Sequence, residues 1–386
     1  MMAPKWMGRD VVLIALSAFT ADVGYQAVQA LFPIYLVLTL SSSPLYFGLA
    51  NAIAFGGGAV FAYFGGFLGN KHSRKWLAVG GSAFILLMSL IGLTVNPILA
   101  IIFFATGWWA RNFRVPPRRS MLTDLTRKEN LGKVFGFLHA LDIGGGMVSV
   151  VILLLLLAFG VSQNSALLAT AIPLIVSVSL LLVINDVRRR RTPPASRHRL
   201  RISRSTYRGV IAATALYGFS YYSLGFPILT IAKSSNAILG IGSYGVYLGV
   251  SAFAGYYIGS RKRLNKIKAL GYLGYALSGV GTGILALAYA FGSSLSLYYL
   301  GVALMGVGLG AVETMEPTII SLVRGAVKLD TGMGVLQASR SFGLFFANLI
   351  MGVLYVFSPV DSYVYASAIS VVAGLLIIRA GRGFNP

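Results

Sequence analysis

The 386-residue chain reads as an all-α membrane protein whose twelve transmembrane helices form two pseudo-symmetric six-helix bundles. Three observations lead there. Mean hydropathy is +0.78, with 56% hydrophobic residues and only 11% charged ones, whereas soluble domains carry roughly 25% charge, so the solvent is a bilayer. Basic residues fall in every second loop, which demands an even number of spans. Finally, the two halves repeat one another in sequence.

The spans follow in order from apolar length, charge and Pro or Gly breaks, each needing about 20 predominantly apolar residues. Spans 9–39 and 44–69 lie between Lys5 and Arg9 on one side and Lys71, Arg74 and Lys75 on the other. Spans 75–95 and 98–117 carry the chain to Arg118, Arg119, Arg127, Lys128 and Lys133. Spans 131–159 and 165–185 end at an arginine-rich stretch from Arg188 to Arg208, which holds Pro193-Pro194 and no apolar periodicity. Spans 206–232 and 237–259 reach the basic residues of 261–268, spans 268–291 and 294–323 reach Arg324 and Lys328, and spans 332–357 and 360–379 finish at Arg379 and Arg382. Strands of a membrane barrel are about ten residues long and alternate, so these long apolar runs are helices. The expected domains are therefore 1–186, a basic cytoplasmic linker at 187–205 lying along the membrane surface, and 206–386.

The net charge of +22 does not signal nucleic-acid binding, because the charges follow the positive-inside pattern. Both termini are expected in the cytoplasm of a multi-pass cell-membrane protein, and Lys233 is the exception among the opposite loops. The absence of cysteine excludes disulfides and thiolate metal sites. The first apolar run, 10–40, is too long for a signal-peptide core and is expected to stay as a helix.

Thr20, Ala21, Gly24, Phe32, Pro33 and Ile34 recur as Thr214, Ala215, Gly218, Phe226, Pro227 and Ile228, every one 194 residues later. Gly136, Leu138 and Ala140 recur as Gly334, Leu336 and Ala338, and at that second offset Asp142 corresponds to Arg340. The repeat keeps a charged position and swaps its sign. Six spans per half make the copies run in the same direction, about an axis along the membrane normal.

Seven ionisable residues interrupt the spans: Asp22, Arg111, Arg114, Asp142, Glu313, Glu316 and Arg340. Each costs several kcal/mol in hydrocarbon unless it is paired or faces a wet cavity, so together they mark a polar pathway. At about 1.5 Å per residue, Asp22 lies near the midplane, and Arg111, Asp142, Glu313 and Arg340 lie roughly 12 to 20 Å from the cytoplasmic edge. A base on the fourth span is expected to meet Asp142, and an acid on the tenth to meet Arg340. Four acids against three arginines leave one carboxyl over, and a carboxyl without a counter-charge in low dielectric is most cheaply kept as its neutral acid, as proton coupling requires. Asp22 is the first candidate proton carrier, Glu313 the second and Asp142 the third. Structural ion pairing is the competing role for Asp142 and Arg340, and snorkelling to headgroups for Arg114. Tyr25, Gln26, Gln29, Arg111, Tyr217, Tyr221, Glu316 and Arg340 are candidate substrate contacts, since Gln26 and Gln29 extend a polar stripe from Asp22 and Tyr25. No cofactor or metal is called for, and no nucleophile–base pair suggests an enzyme.

After the second span, Gly66-Phe67-Leu68-Gly69-Asn70-Lys71-His72-Ser73-Arg74-Lys75 resembles the cytoplasmic loop signature of the major facilitator superfamily, with Asn70 where an Asp and Ser73 where a Gly is usual. Arg111-Asn112-Phe113-Arg114-Val115-Pro116-Pro117-Arg118, Asp124, Gly132-Lys133-Val134-Phe135-Gly136 and Asp142 are similar to a pattern in a prokaryotic permease branch, with Arg119 where that branch has an acid. The resemblance implies alternating access by two bundles about a site lined by helices 1, 4, 7 and 10, and a gating loop at Asn70, Lys71, Arg74 and Lys75. A proton-coupled exporter of a small amphipathic solute, acting as a monomer in the lipid bilayer, is the expectation. The alternatives are an organic-anion importer or exchanger with Arg111 and Arg340 as an anion clamp, and a receptor or lipid-handling protein that binds without transporting.

Overall fold

In a computed structural model, residues 8–69, 71–126, 131–186, 204–220, 223–260, 265–292, 294–322 and 329–380 are described. They are helical throughout, with no strand among the described residues. The helices are α1 (Arg9–Ile34), α2 (Pro44–Gly69), α3 (Arg74–Ile85), α4 (Pro97–Leu125), α5 (Leu131–Ala158), α6 (Gln163–Ala169), α7 (Ala171–Val183), α8 (Arg204–Gly218), α9 (Gly225–Ser234), α10 (Ala237–Ser260), α11 (Lys266–Ala269), α12 (Leu277–Ala290), α13 (Leu295–Leu322), α14 (Leu329–Phe357) and α15 (Pro359–Ala380). A π-helical turn extends α1 through Tyr35–Thr39, a 3-10 segment extends α3 through Leu86–Leu93, and a π-helical stretch, Leu270–Ala276, joins α11 to α12.

Ten helical segments among the described residues are long and apolar enough to cross a membrane. Large apolar side chains such as Val60, Phe84, Val151, Ile172, Phe253 and Leu375 are exposed along them, and water would not tolerate so much apolar surface. The chain is a multi-pass membrane protein. The two expected spans outside those ten depart for identifiable reasons. Five charged side chains, Arg111, Arg114, Arg118, Arg119 and Asp124, lie along α4, while the seventh expected span is interrupted between α8 and α9. Near that interruption the Ser223 amide donates to Asn348 Oδ1 at 3.1 Å, replacing a helical carbonyl with a buried side-chain acceptor.

Packing divides the chain into two compact units: Met1–Ser42 with Ile53–Ala195, and Ser43–Ala52 with Ser196–Pro386. The segment Ser43–Ala52, which contains the first nine residues of α2, is counted with the second unit.

In the first unit α1 packs on α5 and α7, and α3 on α4. Its apolar core includes Ile14, Ala18, Ala78, Met121, Leu122, Leu138 and Leu181. Hydroxyls link the helices inside it: Ser17 and Ser177 lie 2.9 Å apart, and Ser89 and Thr170 2.7 Å apart. Gly160, at φ +78°, ends α5 in the left-handed region where a Cβ is penalised.

In the second unit α10 and α12 pack on α13, α12 on α15, and α8 on α14 and α15. Val210, Tyr217, Ile258, Leu270, Tyr275, Val312, Ile319 and Ile377 belong to one core cluster. Gly218 and Gly343 bring α8 and α14 into backbone contact; a Cβ on Gly218 would sit 2.8 Å from the Arg340 carbonyl. That close approach sets Tyr217 and Arg340 on adjacent helices.

Candidate functional site

Both units carry a charged cluster within their helices. In the first, α1 supplies Asp22 and Tyr25, α4 supplies Trp108, Arg111, Arg114 and Arg118, and α5 supplies Asp142. Gly145 lets α5 approach α1 at this level, since a Cβ there would lie 2.5 Å from the Phe19 carbonyl and 3.0 Å from Asp22 Cβ. Asp22 and Tyr25, three residues apart on one face of α1, are both buried. Arg111, Arg114 and Asp142 all act electrostatically on Asp22.

The Arg111 guanidinium lies 5.1 Å from the Tyr25 ring centre and 4.9 Å from that of Trp108, a double cation–π arrangement. Trp108 meets Tyr25 edge-on at 6.0 Å and Phe55 edge-on at 4.9 Å. Asn112 turns back to donate to the Trp108 carbonyl at 2.9 Å. Gln29 is buried and Gln26 half-buried along the same helix as Asp22.

The expected pairing between the fourth and fifth spans is seen, but the base is Arg118, 3.6 Å from Asp142. Sequence reasoning placed Arg118 in a loop because Pro116-Pro117 reads as a helix end. Instead α4 runs through both prolines to Leu125, and Arg118 is 3% exposed. The available signal was the spacing 111, 114, 118, which keeps three arginines on one helical face. Arg114 does not snorkel outward either; it is 1% exposed and donates to Ser82 Oγ at 3.2 Å.

In the second unit Arg340 of α14 forms an ion pair with Glu313 and another with Glu316, both on α13. Glu316 is fully buried, while the Glu313 side chain is 45% exposed. The Tyr275 hydroxyl donates to Glu316 Oε1 at 2.6 Å and lies 3.0 Å from Thr214 Oγ1. Tyr217 stacks on Tyr275 with ring centres 4.2 Å apart and donates to Ser278 Oγ at 3.2 Å. Beside it is a cavity of about 20 Å³ lined by Tyr217, Ser220, Tyr247, Ser278, Thr282, Met305 and Ser370, polar and of the size of one water. Sequence reasoning did not single out Tyr275, because a tyrosine in an apolar helix carries no mark of its partner.

The structure thus brings Asp22, Tyr25, Arg111 and Asp142 together in one unit, and Tyr217, Glu313, Glu316 and Arg340 in the other. Asn70 and Tyr221 lie outside the described residues. Of the remaining loop residues, Lys71 lies over the Phe67 ring at 4.4 Å, and Lys75 over Trp76 at 5.3 Å. Arg74 forms an ion pair with Asp124 at the end of α4. Ser73 caps α3 by accepting from the Trp76 amide and donates to Asp186 Oδ1 at 3.1 Å.

Counting charges within the spans corrects the expectation of one surplus acid: with Arg118 buried, four acids meet four arginines. They are unevenly divided. The cluster in the first unit sets Arg111, Arg114 and Arg118 against Asp22 and Asp142, and that in the second sets Glu313 and Glu316 against Arg340.

Comparison with known proteins places this architecture. The chain is similar to an uncharacterized MFS-type transporter of Methanocaldococcus jannaschii, at 20% identity over 96% of this chain and 95% of that one. Among solved structures, a bacterial homolog of the human lysosomal transporter Spinster, inward-facing and unoccupied, superposes with a TM-score of 0.75 at 15% identity, covering 99% of this chain and 98% of that one. A POT family transporter in complex with a thioalcohol-conjugated peptide gives 0.77 at 12% identity over 96% of both chains, and a D-xylose–proton symporter 0.73 at 14% over 97% of both. These likenesses show the fold. The sequence model of the Major Facilitator Superfamily matches residues 14–347, and the chain belongs to that superfamily: it is a membrane transporter and not an enzyme.

Proposed function

We propose that this transporter is a proton-coupled exporter of a small amphipathic organic solute, working by alternating access. The observation that carries the reading is that Glu313 and Glu316 share one guanidinium, that of Arg340. With both carboxylates charged the cluster holds one net negative charge among apolar helices, and one proton makes it neutral. Such a charge in low dielectric favours uptake of a proton or of a cationic group, so the two compete. Competition of that kind is antiport, and an inward proton gradient then drives the solute out. Asp22, buried beside Tyr25 on α1, is the second proton-carrying candidate, and Asp142, paired with Arg118, the third. The rings of Tyr25, Trp108 and Phe55 with the amides of Gln26, Gln29 and Asn112 suit a solute that is part apolar and part polar. The basic loops support a cell-membrane protein with both termini in the cytoplasm.

The test is proton movement in proteoliposomes, with solutes first chosen by thermal shift at two pH values. Solute addition is expected to release protons from the wild type. Glu313→Gln and Glu316→Gln are expected to retain solute counterflow while losing the coupled proton. If both variants, and Asp22→Asn, keep full coupling, proton carriage by these acids is wrong.

A second reading, transport of an organic anion, is favoured by the net positive charge of the first unit and by the half-buried Arg111. Arg340 is already engaged by two carboxylates, so Arg111 rather than Arg340 would receive the anion. Protein that binds carboxylates in preference to amines, and loses this with Arg111→Lys, would support it over the cationic solute. Ligand binding without counterflow would instead indicate a receptor.

A further inference from the structure

Arg118 is 3% exposed, yet its Nε and Nη1 have no hydrogen-bond partner, and its one ion pair is the long 3.6 Å contact from Nη2 to Asp142. Asp142 Oδ1 likewise lacks a partner. One turn away Arg114, 1% exposed, leaves its Nε without a partner and spends Nη1 on Ser82. Arg118 follows Arg114 by four residues on α4, so two buried like charges share one face of that helix inside the unit. Buried donors without acceptors are costly, as is an excess of buried positive charge, and both costs fall on the same two side chains.

We infer that Arg114 and Arg118 hold a small monovalent anion of halide size between α4 and its neighbours in the first unit. Such an ion cancels the excess of three arginines over Asp22 and Asp142 and accepts from the idle N–H groups. The ion is distinct from the transported solute, and the inference does not depend on how transport is driven.

The probe is chloride, titrated into purified protein in gluconate buffer at constant ionic strength while Tm is followed. Wild-type protein is expected to show a rise in Tm that saturates with chloride. Arg118→Gln is expected to lose that rise and Arg111→Gln to keep it. Asp142→Asn, which removes a competing negative charge, is expected to lower the chloride midpoint about tenfold. Crystals of the wild type grown in bromide are expected to show anomalous density beside Arg114 and Arg118. No chloride dependence in the wild type, dependence that survives Arg118→Gln, or bromide density beside Arg111 instead would overturn the assignment. Bridging water or a closer Arg118–Asp142 pair would give the first of these results.

Discussion

Tyr275 donates to Glu316 Oε1 at 2.6 Å, on the carboxylate whose other oxygen is held by Arg340. The carboxylate is fully buried, so these two donors are what makes its position inside the bundle tolerable. Tyr275→Phe removes one of them and leaves a buried acceptor, at a cost of about 1–3 kcal/mol. A lowered Tm in detergent, with Tyr272→Phe on the exposed face as the unchanged control, is the expected result.

Removing the cation they share should be more damaging than removing the tyrosine. Arg340→Ala leaves two carboxylates near each other without their counter-charge, a loss of about 3–5 kcal/mol. Adding Glu316→Gln to that variant is expected to recover part of it, as a double-mutant cycle of thermal stabilities would show.

Two adjacent glycines on α5 should differ sharply. A Cβ on Gly145 meets the backbone of α1 at Phe19, which cannot yield, whereas on Gly144 it meets only the Phe19 ring at 4.0 Å. Gly145→Ala is expected to destabilise by about 1–3 kcal/mol through forced separation of the helices. Gly144→Ala should be neutral or slightly stabilising in the same melting experiment.

The Arg74–Asp124 pair is partly buried, with side-chain exposures of 17% and 10%. Arg74→Asp places two acids together and is expected to lower both stability and transport rate. The exchanged pair, Arg74→Asp with Asp124→Arg, should restore most of the loss. Comparing uptake in vesicles by the two variants decides whether the contact acts through charge.

The pairing of Arg340 with an acid of the tenth span was legible because an ionisable residue in an apolar run must find a partner, and few partners exist. Arg118 was not, because its neighbours Pro116 and Pro117 carry the local signature of a helix end. Tertiary contacts overrode that signature: the side of α4 holding Arg118 is covered, and leaving the helix there would expose backbone groups with no water to satisfy them.

Composition, the alternation of basic loops and the internal repeat determined by themselves that this is a helical membrane protein built from two related halves. Those properties depend on the cost of polar groups in hydrocarbon, which is summed residue by residue along the chain. Which charge meets which was decided only in three dimensions. A guanidinium on a helix can be satisfied by any carboxylate brought within a few ångströms, and glycine contacts such as Gly145 on Phe19 and Gly218 on Arg340 set which helices approach that closely. The sharing of one arginine by two glutamates, and the surplus of arginine in the other unit, are properties of packing that no local pattern encodes.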